Sequence, residues 1–155
     1  MQHSSLSSSI QRRAQAGFTL LEVMVVIVIL GVMASMVVPQ LMDKSEKAAT
    51  QKAVSDIGKL EEILEMYRLD NHRYPTTEQG LEALVSEPTS DPIPRNYPSK
   101  GYVRRLENDP WGNPYLYLSP GENSDVDIYT LGADGEEGGE GNNADIGNWN
   151  LQDFR

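Results

Sequence analysis

Residues 18–38 read FTLLEVMVVIVILGVMASMVV, 21 residues with one charge, Glu22. In an α-helix, which rises 1.5 Å per residue, roughly 20 apolar residues cross a ~30 Å hydrocarbon core. The run therefore predicts a membrane-spanning helix near the amino terminus. The polar, Ser-rich segment before it carries Arg12 and Arg13 and no acid. Positive charge there holds that end on the cytoplasmic side, so the chain from about Pro39 onward is expected outside. Three readings of the run stand. It is a cleaved secretory signal cut after Val32-Met33-Ala34, although the stretch is long for an apolar region of ~7–15 residues. It is a plain signal anchor. Or it is an assembly element that moves between bilayer and filament. A carboxylate near one end of a spanning helix costs on the order of a few kcal/mol. Glu22 either has a partner or lies close enough to the headgroups to stay wet.

Working outward, Pro39 is expected to kink the helix rather than end it, because it removes one backbone donor and crowds the preceding turn. Val54, Ile57, Leu60, Leu64 and Tyr67 recur at three- and four-residue steps, the stripe of an amphipathic helix. Asn71 and Pro75 mark its end. Residues 77–85 predict a short second helix capped by Thr76 or Thr77. The prolines at 88, 92, 94 and 98 predict an irregular loop. Tyr102-Val103 is expected to begin a strand, Asp109 to Pro114 to form a turn, and 115–118 and 126–131 to form strands. One long helix, membrane-spanning in its first half and amphipathic in its second, packed on a small antiparallel sheet gives an α+β class.

Charge and composition narrow the function. The chain has 155 residues and net charge −10, with 23 acids against 13 bases. That balance opposes nucleic-acid binding, which needs Lys and Arg in excess. Residues 40–106 are nearly neutral. Residues 107–155 hold 11 acids and one base, Arg155, so the net charge sits in the last third, interleaved with glycine. No cysteine is present, which excludes a disulfide, a thiolate zinc site and a cysteine nucleophile. His3 and His72 are the only histidines.

The residues around Glu22 carry a resemblance. Gly17-Phe18-Thr19-Leu20-Leu21-Glu22, after a basic leader and before an apolar helix, resembles the class III signal of type IV pilin-like proteins. The resemblance implies cleavage between Gly17 and Phe18 by a membrane prepilin peptidase and N-methylation of Phe18. The Glu22 carboxylate of one subunit would then meet the Phe18 amine of a neighbour, two costly groups satisfying each other. Tyr-Pro-Thr-Thr-Glu-Gln-Gly-Leu (74–81), Asp-Pro-Trp-Gly-Asn (109–113), Leu-Gly-Ala-Asp-Gly (131–135) and Asp-Ile-Gly-Asn-Trp (145–149) extend it. From about Gly17 to Phe154 the chain is similar to the major pseudopilins of bacterial type II secretion systems. What that implies is a pilin-like fold divided into a cleaved leader (1–17), a transmembrane and assembly helix (18–38) and a periplasmic domain (39–155). It also implies a homopolymer, the pseudopilus, which supports export of folded proteins across the outer membrane. The protein would be single-pass in the inner membrane of a Gram-negative cell. Minor pseudopilins, the peptidase and an inner-membrane platform with its cytoplasmic ATPase are the implied partners. No phosphate-binding loop is present in the chain, so force must come from elsewhere.

Leu131 to Trp149, LGADGEEGGEGNNADIGNW, has two readings. Composition alone reads a flexible acidic loop. The alternative is a calcium site, because hard cations gather carboxylate, amide and carbonyl oxygens. An EF-hand is rejected. With Asp134 at position one, Gly138 falls at position five and Asp145, not Glu, at twelve, between a strand and a turn rather than two helices. The resemblance implies a calcium loop here, with Asp134 and Asp145 as side-chain ligands, the Leu131 carbonyl, and Asn142 as a further oxygen. Backbone oxygens near Glu136 and Ala144 are weaker candidates. Crowding of Asp134, Glu136, Glu137, Glu140 and Asp145 supplies the physical case, since like charges held close repel.

Two other classes compete. A type IV pilus subunit shares the fold, but such pilins commonly close their C-terminal region with a disulfide, which this chain cannot form. An anchored enzyme would need a carboxylate pair such as Glu61/Glu65 or Asp134/Asp145. No nucleophile, base and orienting group can be assembled around His72, so a non-enzyme is expected. Glu61 and Glu65, one turn apart, read as a solvated outer face or as partners for Arg104 or Arg105 of adjacent subunits.

Overall fold

The computed structural model describes residues 17–155, and their side chains except those of 36–43. The predicted leader up to residue 16, with Arg12 and Arg13, lies outside the described residues, as does the side chain of Pro39. The chain divides into two units, Met1–Gln40 and Leu41–Arg155. Helix α1, Leu20–Asn71, runs through Pro39 without ending.

In the first unit the helix starts on a side-chain cap. The Glu22 amide donates to the Thr19 hydroxyl at 3.2 Å, which satisfies one of the backbone donors left open at a helix start. From Phe18 to Met33 the large apolar side chains are exposed, Phe18 by 83% and Leu20 by 81%. Among the described residues no helix is long and apolar enough to cross a membrane. The apolar stretch whose side chains are described, 20–35, is 16 residues, short of the ~20 needed.

The second unit is built on the amphipathic half of α1. Ala53, Ile57, Leu64 and Tyr67 are fully buried, Val54 nearly so, and Leu60 is packed against them. The stripe read from the sequence is thus the core face. Three short strands form one antiparallel sheet in the order β1-β2-β3: β1 Leu116–Leu118, β2 Asp127–Thr130 and β3 Ile146–Gly147. Tyr117 lies opposite Ile128, and Thr130 opposite Ile146. Ile128 and Ile146 are fully buried and close the core with Leu81, Leu84 and Val126.

Three local expectations change. The second helix is a turn over 77–80 followed by a single 3-10 segment, Leu81–Leu84. Gly80, at φ +62, stops α-helical geometry before it. Thr76 is the capping residue: its hydroxyl accepts from the Gln79 amide (3.2 Å), and the Gln79 side chain accepts from the Thr76 amide (3.1 Å). Tyr102-Val103 begins no strand, because both amides donate to the Leu84 carbonyl, at 2.8 and 3.0 Å, and so close off the 3-10 segment. The third strand lies instead at Ile146–Gly147, beyond the acidic loop. The long helix does end at Asn71, and His72 turns the chain away in a left-handed conformation (φ 57).

Candidate functional site

Three places hold the residues singled out from the sequence. At the amino-terminal end, Gly17, Phe18 and Glu22 are exposed. Thr19 is the residue that sequence reading missed there. Its signal was available, since Thr19-Leu20-Leu21-Glu22 has the spacing of a capping box. The structure shows the hydroxyl half of that arrangement.

On the outer side of α1, Glu61 and Glu65 are not a fully solvated face, because both are half-buried. Glu65 accepts two bonds from Arg68, at 2.7 and 3.0 Å, and one from the Tyr74 hydroxyl. The Tyr74 bond, and then Arg68, hold the Glu65 carboxyl below the usual carboxylate range despite partial desolvation. Burial and the same carboxylate push Tyr74 up to about 12. Arg68 also lies over the Tyr74 ring, 5.2 Å from its centroid. Glu61 accepts from Asn148 at 3.4 Å. Arg105 lies 3.6 Å from Glu107. These carboxylates thus have partners within their own chain.

The third place is the loop between β2 and β3. Its two arms meet at a neck. The Ala133 amide donates to the Asn142 carbonyl at 3.0 Å. Gly132, at φ +70, is required there, because a Cβ would sit 2.7 Å from the Asn143 carbonyl carbon and 2.9 Å from the Asn142 oxygen. Beyond the neck, Asp134, Glu136, Glu137 and Glu140 are exposed. The Asp134 carboxylate accepts from the Glu136 amide at 3.2 Å, and Asp145 Oδ2 accepts from the Gly138 amide at 2.9 Å. Asp145 Oδ1 is buried with no hydrogen-bond partner. Such an orphaned acceptor is costly unless something else fills it.

Among the described residues no group of three or more His, Cys, Asp or Glu side chains is arranged to hold a metal. The oxygens on offer are of mixed type: the free Asp145 Oδ1, the Asp134 carboxylate, carbonyls of the arms, and Asn142. Mixed oxygen donors suit calcium, which takes carboxylate, amide and backbone oxygens together, and do not suit zinc. Asn142 Oδ1 already accepts from the Trp111 indole at 3.2 Å, leaving one lone pair. Asp127, one of the acids around this region, is excluded as a ligand. It is 1% exposed, and its two oxygens accept from the amides of Glu122, Asn123 and Ser124 and from the Asn123 side chain.

The chain resembles known proteins over nearly its whole length. The family described as "Type II secretion system (T2SS), protein G" matches residues 40–149, and the "Prokaryotic N-terminal methylation motif" matches 12–38. A type II secretion system core protein G of Vibrio cholerae is 66% identical over 143 residues, 92% of this chain and 97% of the relative. One of Aeromonas hydrophila is 63% identical, covering 94% and 99%. The crystal structure of the major pseudopilin from the type 2 secretion system of enterohaemorrhagic Escherichia coli matches at TM-score 0.65 and 58% identity, over 72% of this chain and 91% of that one.

Proposed function

The chain belongs to the type II secretion system protein G family, and from that premise we infer that it is the major pseudopilin, the repeating subunit of the secretion pseudopilus. The observation that carries the reading is that one chain joins the methylation motif over 12–38 to the protein G domain over 40–149. The family is structural rather than enzymatic, and a pilus subunit is not favoured. In this reading the protein is a non-enzyme that assembles with other secretion components. We propose the specific set: minor pseudopilins, a prepilin peptidase, and the inner-membrane platform with its cytoplasmic ATPase.

The exposed apolar side chains from Phe18 to Met33 support a helix that is covered first by lipid and then by sister subunits. Left in water, such a surface would drive association at roughly 25 cal/mol per Å² of apolar area covered. Residues 18–38 then form a single pass through the inner membrane, with the domain beyond them in the periplasm. Cleavage falls between Gly17 and Phe18, and Phe18 is N-methylated. The Glu22 carboxylate pairs with the Phe18 amine of the next subunit, which removes the cost of holding either charge alone in an apolar bundle. The test is direct. The amino terminus of the full-length protein isolated from membranes is expected to be N-methylated Phe18, and a start at Ser35 would restore an ordinary signal peptide. Glu22→Ala is expected to be cleaved and inserted yet to build no filaments visible by electron microscopy. Normal filaments from that variant would remove Glu22 from assembly.

The loop is proposed as a calcium site, held by Asp134, Asp145, the Leu131 carbonyl and Asn142. When bound, the ion supplies positive charge to a stretch of five crowded carboxylates. Asp134 and Asp145 bring one carboxylate from each arm, and the neck sets how closely they approach. The unpartnered Asp145 Oδ1 is the feature that supports this reading.

A further inference from the structure

The Asp109-Pro110-Trp111-Gly112-Asn113 turn is separate in sequence from the acidic loop, yet its side chains reach both ends of it. Asp109 is 4% exposed. Its Oδ1 accepts from the Trp111 and Asn113 amides, at 3.0 and 2.7 Å, which folds the turn upon itself. Its Oδ2 accepts from the Thr130 hydroxyl at 2.5 Å. Thr130 is the last residue of β2, 1% exposed, and its hydroxyl in turn accepts from the Gly132 amide at 3.3 Å. One buried carboxylate thereby ties the turn to the start of the loop. The turn also aims the half-buried Trp111 indole N–H at Asn142 Oδ1, on the opposite arm. Asn142 is the residue whose carbonyl receives the Ala133 amide across the neck. Thus Asp109 fixes one arm, Trp111 the other, and the neck lies between them.

We propose that Trp111 is a positioning residue for the acidic loop: its indole N–H, aimed by the buried Asp109, clamps Asn142 and holds the neck closed so that Asp134 and Asp145 stay within reach of one cation. The cation part of this inference rests on the calcium reading above; the clamp itself does not. An open neck would have to be closed at the moment of binding, at the cost of ordering both arms, whereas a closed one is pre-organised. The indole bond is neutral and 3.2 Å long, so its loss is worth a modest factor.

The experiment uses the full chain in detergent, with Trp111→Phe, which keeps an aromatic ring and removes the donor. Calorimetric titration with calcium chloride is expected to give a dissociation constant raised about three- to ten-fold. Asn142→Ala is expected to raise it as well, and the double variant to be no weaker than the weaker single one. Two residues acting through one bond are non-additive, whereas residues that merely support the fold separately add. A calcium-free readout stands beside it: exchange of the Ala133 amide with deuterium is expected to quicken several-fold in Trp111→Phe. Unchanged calcium affinity together with unchanged exchange overturns the clamp, and additive losses in the double variant overturn the role of the indole bond. If the unmodified protein takes up no calcium, the metal reading fails by itself, and faster Ala133 exchange in Trp111→Phe still decides for the clamp or, if absent, against it.

Discussion

Asp127 is a buried acid that carries no chemistry, and it shows how much of this molecule is held by single side chains. Its carboxylate gathers the amides of Glu122, Asn123 and Ser124 and forms the β1–β2 connection around itself. Gly121 completes the cradle, since a Cβ there would lie 2.6 Å from the carboxylate and 2.5 Å from the Ser124 carbonyl. Asp127→Ala leaves those amides without partners beside a nearly buried residue. It is expected to destabilise the protein by ~2–4 kcal/mol, read from denaturant midpoints. Asp109 also gathers amides, but those two and four residues after it, the pattern of an Asx turn that local sequence offers, whereas Asp127 gathers amides three to five residues before it. What no sequence reading supplied was the Thr130 hydroxyl reaching the second carboxylate oxygen of Asp109, or the indole of Trp111 reaching Asn142. Those bonds join residues 21 and 31 positions apart, and only the fold decides such separations.

At the scale of elements, the long helix was the most legible part. The three-and-four spacing from Val54 to Tyr67 named the core face, and Asn71 marked the end. The contrast between its faces is a prediction. Leu64 is fully buried, and Leu64→Ala is expected to cost ~2–5 kcal/mol. Met66, two residues on, is 57% exposed, and Met66→Ala is expected to stay within ~0.5 kcal/mol in the same unfolding assay. The strands were harder to read. Three strands of four, three and two residues carry too few alternations for a period to emerge. β3 is only Ile146–Gly147, and its pairing with Tyr129 and Thr130 is settled by where the acidic loop returns. The mistaken strand at Tyr102-Val103 has the same origin. Two residues of high strand propensity instead donate their amides to the Leu84 carbonyl and so close the 3-10 segment.

For the molecule as a whole, the acidic loop is where charge, packing and proposed function meet. Five carboxylates within 134–145 repel one another, and an ion that binds only the folded loop stabilises it by mass action. Removal of calcium with a chelator is expected to lower the melting temperature of the protein. Asp134→Ala is expected to give a similar fall and to abolish the chelator's effect. An unchanged melting curve would count against the site. The sequence by itself determined the apolar run, the amphipathic stripe, the lack of cysteine chemistry and the family, because these follow from local composition and spacing along one chain. Only the tertiary structure decided that Glu65 is engaged by Arg68 and Tyr74, that Asn142 is held by Trp111, and that one oxygen of Asp145 is left without a partner. Each of those depends on which distant residues arrive at the same place. Packing sets that, and spacing along the chain does not.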